Sequence, residues 1–310
     1  MKYVYGPVPS RRLGKSLGIS PIPDKTCNYT CVYCQLGRTT HFTNERQLFY
    51  PVEEVLKEVQ EALQQEKDID FITIVGEGEP LLYKGIGLLV TQLKQLSSIP
   101  IAIITNGALL SQEEVRKELL QTDVILPTLD AYSEEQFRKI NRPHKEIKLV
   151  EVIEGLKEFR KIFHNQIWLE VMLVKDLNDD INSINEIKKI IDEINVDRVY
   201  LNVPIRPPAE SWVEIPPSNR LIIAQEILKA ESIAHFEELL IESVDRESAP
   251  FEQILNILKR HPLRNEQIYT LFPSMDKGEI DSMLNEMISN KLIEAVEYNN
   301  KTFWERKQAS

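Results

Sequence analysis

The chain has 310 residues, a formal net charge of −11, 42% hydrophobic and 27% charged residues. These proportions exclude a disordered or membrane-embedded chain, and the length suits one large α/β domain with a small companion. No apolar run approaches the ~20 residues that cross a bilayer, and Met1 to Gly14 lacks an apolar signal-peptide core, so a cytoplasmic protein without a membrane partner is expected.

In chain order, Leu17 to Ile22 reads as a first strand, closed by Pro21 and Pro23. Val52, Val55, Leu56, Val59, Ala62 and Leu63 keep the 3.6-residue period of a helix, with Pro51 at its start and Glu53 and Glu54 at the positive end of its dipole. Phe71 to Val75 is a strand, 85–96 a helix, and Ile101 to Ile104 a strand running into Thr105-Asn106-Gly107. Residues 112–120 read as a helix, Val124 to Leu129 as a strand ending at Asp130, 147–163 as a helix and 167–174 as a strand. Ile181, Ile184, Ile187, Ile190, Ile191 and Ile194 mark a further helix, Val199 to Val203 a sixth strand and 217–230 another helix. Six β-then-α units imply a mainly parallel sheet with right-handed crossovers. Periodicity leaves a doubly wound sheet and an incomplete barrel open; in both, ligands gather at the carboxyl ends of the strands.

The tail differs. Helical patterns at 250–260, 264–271 and 276–290 precede two strand-like pieces, Ile293–Tyr298 and Lys301–Trp304, split by Asn299-Asn300, a plausible hairpin turn. Three helices and a hairpin predict a winged-helix-like domain over 250–310, after a core domain over 1–230 and a linker over 231–249. Residues 251–310 hold eight Lys/Arg against nine Asp/Glu, and the expected recognition helix carries Asp276, Glu279, Asp281 and Glu286 against Lys277 and Lys291. A DNA reader is basic on that face, so substrate or protein docking is the preferred role.

Charge and cysteine both point to the first fifty residues. They hold seven Lys/Arg against Asp24 and Glu45, a local charge of +5 on an otherwise acidic chain. Nine of the eleven glycines lie at or before Gly107. The three cysteines, Cys27, Cys31 and Cys34, fall within eight residues of one another, too closely spaced for good disulfides but well spaced for chelation. Three thiolates in one loop suit a four-iron cluster with one iron left open, or structural zinc with His41 as a fourth ligand.

The Cys27-x3-Cys31-x2-Cys34 loop after the first strand, with aromatic Tyr33 before the last cysteine, resembles the radical S-adenosylmethionine (SAM) superfamily. Gly76-Glu77-Gly78-Glu79-Pro80 after the second strand resembles that superfamily's glycine-rich SAM loop. The resemblance spans roughly residues 10–206. It implies a partial (β/α)6 radical SAM barrel in which Cys27, Cys31 and Cys34 hold a [4Fe-4S] cluster, SAM chelates the open iron, and a 5′-deoxyadenosyl radical abstracts hydrogen from the substrate. It also implies a reductant, an external flavodoxin- or ferredoxin-like electron donor.

Several residues are candidate SAM contacts. Gly76 and Gly78 allow close backbone approach, and Glu77 or Glu79 can accept from the SAM ammonium. Tyr33 is placed against the adenine, with ordinary packing as the alternative. Asp130 and Glu170 are candidates for the ribose hydroxyls or the sulfonium; Glu170 lies within an apolar strand and therefore needs a partner. Thr105 and Asn106 either touch the ligand or make the turn before Gly107. Arg206, before Pro207-Pro208, is a candidate for an anionic substrate or the SAM carboxylate, as are Arg11, Arg12 and Lys15; simple surface charge is the alternative for all four. No catalytic residue is assigned, and His144 and His164 carry no signal.

The stretch from Tyr5 to Ile19 (YGPVPSRRLGKSLGI) and Arg206-Pro-Pro-Ala-Glu210 look like the wyosine-synthase-related branch. Its tRNA-modifying members carry a second cluster on additional cysteines, whereas this chain has no cysteine outside 27–34. The expectation is therefore a radical SAM enzyme of unassigned substrate: a small molecule, a peptide docked on the tail, or RNA. A wyosine-type tRNA enzyme and a zinc-containing nucleic-acid-binding regulator are the alternatives.

Overall fold

The computed structural model describes residues 1–66, 68–232, 250–258, 262–272, 275–298 and 301–307. Most of the expected linker, from residue 233 on, and the Asn299-Asn300 turn lie outside the described residues. The strands are β1 (Val4–Ser10), β2 (Gly14–Ile19), β3 (Thr26–Cys27), β4 (His41–Phe42), β5 (Phe71–Ile74), β6 (Ile101–Thr105), β7 (Val124–Pro127), β8 (Gln166–Met172), β9 (Arg198–Asn202) and β10 (Glu231–Ser232). Between and after them run α1 (Val52–Gln65), α2 (Ile86–Leu96), α3 (Glu113–Glu118), α4 (Glu134–Ile140), α5 (Leu149–Ile162), α6 (Ile181–Ile194) and α7 (Ser218–Leu228).

The main sheet runs β1-β2-β5-β6-β7-β8-β9-β10. Only β1 is antiparallel to its neighbour; every later pair is parallel. The order rises with the sequence and never reverses, so the sheet has no switch point and is not doubly wound. Right-handed crossovers that always step the same way leave the connecting helices on one face. Strand residues alternate accordingly. Ile101, Ile103, Ile125, Ile167, Leu169 and Leu201 join the large core shared with the helices, while Ala102, Val124, Leu126, Trp168 and Tyr200 form a separate cluster on the other face.

The helices follow their sequence signals. In α1, Val52, Val55, Val59 and Ala62 are buried, Pro51 precedes the first turn, and Glu53 and Glu54 sit at its amino end. Asp180 caps α6 by accepting from Ser183 N at 3.0 Å, and Ile184, Ile187, Ile191 and Ile194 face the core.

Several features depart from the sequence reading, among them the short strands β3 and β4 and the strand β10, which adds to the sheet at the start of the expected linker. The first parallel strand begins at Gly14, not Leu17. Val4–Ser10 is a strand despite Pro7 and Pro9, which are tolerated because β1 lies at the sheet edge. The short α4 was not expected either; Ser133 caps it by accepting from Gln136 N at 3.3 Å.

The tail comprises α8 (Pro250–Leu258), β11 (Leu263–Arg264), α9 (Asn265–Leu271), α10 (Lys277–Ser289), β12 (Ile293–Tyr298) and β13 (Lys301–Arg306), with strand order β11-β13-β12. Ile254, Ile268, Leu271, Ile280, Leu284 and Met287 give it an apolar core of its own. A capping box starts α10: Asp276 accepts from Gly278 N, and Glu279 accepts from Asp276 N. The Tyr298 hydroxyl donates to Pro204 O at 2.7 Å, joining the tail to the end of β9.

Leu13, on the β1–β2 turn, is buried in the non-helical face against Ala102, Val124, Leu126, Trp168 and Tyr200, and closes the amino end of that interior. Leu13→Ala is expected to lower stability by about 2–5 kcal/mol, read as a reduced urea midpoint at unchanged slope. A midpoint within error of wild type would show that this face is not packed as described.

Candidate active site

The cysteine loop carries little regular structure of its own, so its position depends on backbone hydrogen bonds made to the rest of the chain. Its start pairs with the loop after β5. Glu79 N donates to Thr26 O at 3.0 Å, and Lys25 N donates to Glu77 O at 2.6 Å. Gly78 makes this approach possible, since a Cβ there would lie 1.8 Å from Thr26 O. Gly76 is crowded in the same way by the side chain of Ile22, 2.4 Å from where its Cβ would be. In the structure the missing side chain of Gly78 admits the backbone at the start of the cysteine loop, and that of Gly76 admits Ile22.

The loop's middle is held by a segment the sequence reading left without a role. Val32 N donates to Ile140 O at 2.9 Å, Thr30 N to Asn141 O at 3.2 Å, and His144 N to Asn28 O at 2.7 Å. A third clamp comes from the motif at 206–210. Glu210 N donates to Val32 O at 3.1 Å, and its carboxylate accepts from Arg38 and Arg142. Those two guanidinium groups hold the Glu210 carboxyl below its ordinary pKa. The loop therefore lies at the carboxyl ends of the strands, as expected for a ligand site.

The three cysteines are unbonded to one another, and burial pushes all three thiols up in pKa. For Cys31 the fields of Cys34 and Asp130 add to burial, and for Cys27 those of Glu79 and Cys31. Buried sulfurs of this kind ionise readily only when a cation joins them, which fits a donor set for a metal cluster. Two amides already face the sulfurs: Asn106 Nδ2 lies 3.9 Å from Cys27 Sγ and Asn141 Nδ2 lies 3.7 Å from Cys31 Sγ. Four ligands of one zinc converge on a point at bonds of ~2.0–2.3 Å. Among the described residues no three His, Cys, Asp or Glu side chains, the three cysteines included, gather as the ligands of a single ion do, and His41 is exposed on β4.

The carboxylates near the loop are extensively engaged. Glu79, 1% exposed, accepts from Thr105 Oγ1 (2.6 Å), Leu81 N (2.9 Å) and Asn106 N (2.7 Å). Burial raises its pKa to about 7, against the lowering by these donors. Thr105 and Asn106 thus brace Glu79, and Pro80 begins the buried 3-10 turn Pro80–Leu82. Three of a carboxylate's roughly four acceptor positions are used, so Glu79 has little left for a ligand. Glu77 is buried beside it and lines a cavity.

Asp130, just past β7, accepts from Tyr33 Oη, from Asn141 Nδ2 at 2.7 Å and from Met172 N at 2.8 Å. Burial raises its pKa to about 6. Glu170 has the partner it was expected to need: it pairs with Arg12 and accepts from Asn202 Nδ2 at 2.7 Å. Arg12, considered as a ligand-gripping or surface charge, is instead a partly buried ion-pair partner. Arg206 is partly buried and donates to Gln35 Oε1 at 2.7 Å. Burial, then the fields of Arg11 and Arg264, lower its pKa to about 10.

A cavity of about 620 Å³ opens beside the loop. Lys25, Gln35, Arg38, Glu77 and Pro207–Ala209 wall one side, and Leu258, Pro262 and Glu305–Lys307 of the tail wall the other. Sequence reasoning missed the tail's share of this wall and the buried amides of Asn141 and Asn202. Only the fold brings those amides to the loop and to Glu170, and nothing in their sequence spacing signals it.

A profile of the radical SAM superfamily matches residues 22–189. A UPF0026 protein of Methanocaldococcus jannaschii is 38% identical over 318 residues, covering 98% of this chain and 96% of that one. A Brachyspira hyodysenteriae protein named GTPase Obg is 37% identical over 295 residues; 93% of this chain is covered, but only 43% of that relative. Among solved structures, Streptococcus suis SuiB bound to S-adenosylmethionine is 17% identical with a TM-score of 0.52, over 73% of this chain and 53% of that one, a likeness of fold.

The Glu79 carboxyl sets a pH dependence. Between its ordinary value of 4.5 and about 7, the native group keeps a proton that the unfolded chain has released. Its stabilising contribution is therefore full at lower pH and is lost as pH rises through 7. In the iron-free protein, Glu79→Gln is expected to flatten the fall in urea midpoint between pH 5 and pH 7.5; an unchanged profile would refute the buried carboxyl.

Proposed function

Because the chain belongs to the radical SAM superfamily and, within it, to the UPF0026 proteins, we propose that it is a radical SAM enzyme with Cys27, Cys31 and Cys34 holding a [4Fe-4S] cluster at the mouth of a partial (β/α)6 barrel. When bound and reduced, such a cluster supplies the electron that splits SAM into methionine and a 5′-deoxyadenosyl radical, which takes a hydrogen atom from the substrate. The observation that carries this reading is the placement of three partly buried, unbonded cysteines on one loop at the carboxyl ends of the parallel strands.

The remaining residues divide the work. Glu77 and the backbone of 76–78 face the amino and carboxylate end of SAM. Glu170, oriented by Arg12 and Asn202, supplies an acceptor for the ribose hydroxyls, while Asp130, with three acceptor positions taken by Tyr33, Asn141 and Met172, has one position left for them. Tyr33 flanks the adenine. Arg206, with Gln35 in front of it, favours a carboxylate or other anionic group. Glu79, Thr105 and Asn106 keep the loops in register.

The cavity walls speak to the substrate class. Lys25, Arg38, Arg306 and Lys307 are set against Asp24, Glu77 and Glu305. A wall of mixed charge suits a small molecule or a single side chain of a peptide better than RNA, which favours a basic surface. The tail is read as a winged-helix-like domain over 250–310 that completes this wall, joined to the core domain over 1–230 by a linker over 231–249. Its α10 presents Asp276, Glu279, Asp281 and Glu286, which disfavours DNA. The likeness to the wyosine-synthase-related branch is kept as ancestry, because no cysteine remains to bind a second cluster. A flavodoxin- or ferredoxin-like protein supplies the electron.

Anaerobic purification is expected to give about four iron and four sulfide per chain, with brown absorbance bleached by dithionite. The reduced protein should convert SAM to 5′-deoxyadenosine or methionine, and Cys31→Ala should abolish this. One bound zinc and no iron would sink the proposal.

A further inference from the structure

Asn141 sits in the segment following α4, and its backbone is fixed on both sides: its N–H donates to Phe137 O at 2.9 Å, and its carbonyl accepts from Thr30 N of the cysteine loop at 3.2 Å. The side chain is 3% exposed. Its Nδ2 lies 2.7 Å from Asp130 Oδ2, 3.3 Å from Tyr33 Oη and 3.7 Å from Cys31 Sγ. A carboxylate and a sulfur are both acceptors, so only the amide NH2, and not its oxygen, satisfies this surround. One N–H serves Asp130, and the other points between Cys31 and Tyr33.

We propose that Asn141 is a positioning residue that raises the reduction potential of the cluster held by Cys31, while screening that cluster from the charge of Asp130. The inference rests on the cluster assignment above. Reduction adds one negative charge to the cluster and its sulfurs. The positive end of an N–H dipole directed at a ligand sulfur stabilises that charge, and hydrogen bonds to sulfur are among the determinants of cluster potential. The second N–H acts in the same direction. It gives the Asp130 carboxylate, the nearby negative group whose field bears on Cys31, a hydrogen bond at 2.7 Å that partly neutralises it. Removing the amide withdraws a donor from the sulfur and leaves Asp130 less neutralised, so both changes make reduction harder. Asn106 is placed similarly at Cys27, but at 3.9 Å its Nδ2 is also committed to Asn28 Oδ1 at 2.7 Å. Asn141 and the Tyr33 hydroxyl, which donates to Asp130 and also bonds Cys31, therefore both link Asp130 with a cluster ligand, and Asn141 is the one of the two that is an amide with a separate N–H for each.

The test is an anaerobic potentiometric titration of the loaded full-length protein without SAM, following the bleaching of the cluster absorbance. Asn141→Leu keeps the size of the side chain and removes the donor. It is expected to load iron and sulfide like wild type, with reduction at least tenfold less favourable, a midpoint about 59 mV more negative for one electron. Asn141→Ser, small and still able to donate, is expected to shift by less. A loaded Asn141→Leu protein with the wild-type midpoint overturns the inference and leaves the proposed function standing. Failure of both variants to load, when wild type loads, also overturns the tuning role and makes Asn141 an assembly residue. A wild-type protein that binds no cluster overturns the function and this inference together.

Discussion

The cysteine loop is partly buried, and the short pair β3–β4 and the turns closed by Cys34 N to Cys31 O and Gly37 N to Cys34 O satisfy only part of its backbone. Every other polar group it takes out of water must find a partner elsewhere, because an unmet buried donor or acceptor costs about 1–3 kcal/mol. Three separate stretches provide those partners: 77–79 after β5, 140–144 after α4, and 210 beyond β9. They arrive from different strand ends, so the loop is held only when the sheet is complete. The position of the sulfurs is thus a property of the whole parallel array.

The same economy of partners governs the charged groups around the loop. Glu79 braces two loops, Asp130 gathers a phenol, an amide and a backbone N–H, and Glu170 is matched by Arg12 reaching in from the β1–β2 turn. Carboxylates buried this deeply persist because each is hydrogen-bonded or paired. Their orientations are fixed before any ligand arrives, which is what a site needs if reorganisation is not to be met during the reaction. The tail completes the arrangement from outside the sheet, contributing Leu258, Pro262 and Glu305 to Lys307 to a cavity whose opposite wall is the cysteine loop.

Much of the parallel sheet and its helices was legible because their signals are local. A two-sided strand such as Phe71–Ile74 or Ile101–Thr105 is a continuous apolar run, and a one-sided helix such as α6 repeats isoleucine at three and four residues. What escaped notice had weak local signals or misleading ones. β1 contains two prolines, α4 is only seven residues long, and both take their structure from neighbours: β2 for the first, and the packing of Phe137 and Ile140 for the second. The choice between a doubly wound sheet and an open barrel depended on strand order, which no periodicity records.

The site divides along the same line. By itself the sequence determined that three cysteines share one short loop, that no other cysteine exists, and that the loop follows a strand in a βα repeat, because spacing and composition are one-dimensional facts. Tertiary structure alone decided that Gly76 and Gly78 admit protein, that Glu79 is a brace, that Glu170 belongs to Arg12, and that Asn141 lies between Asp130 and Cys31. Those partners are 11 to 158 residues apart in the chain. A hydrogen bond depends on separation and angle in space, which the fold sets and residue order does not encode locally.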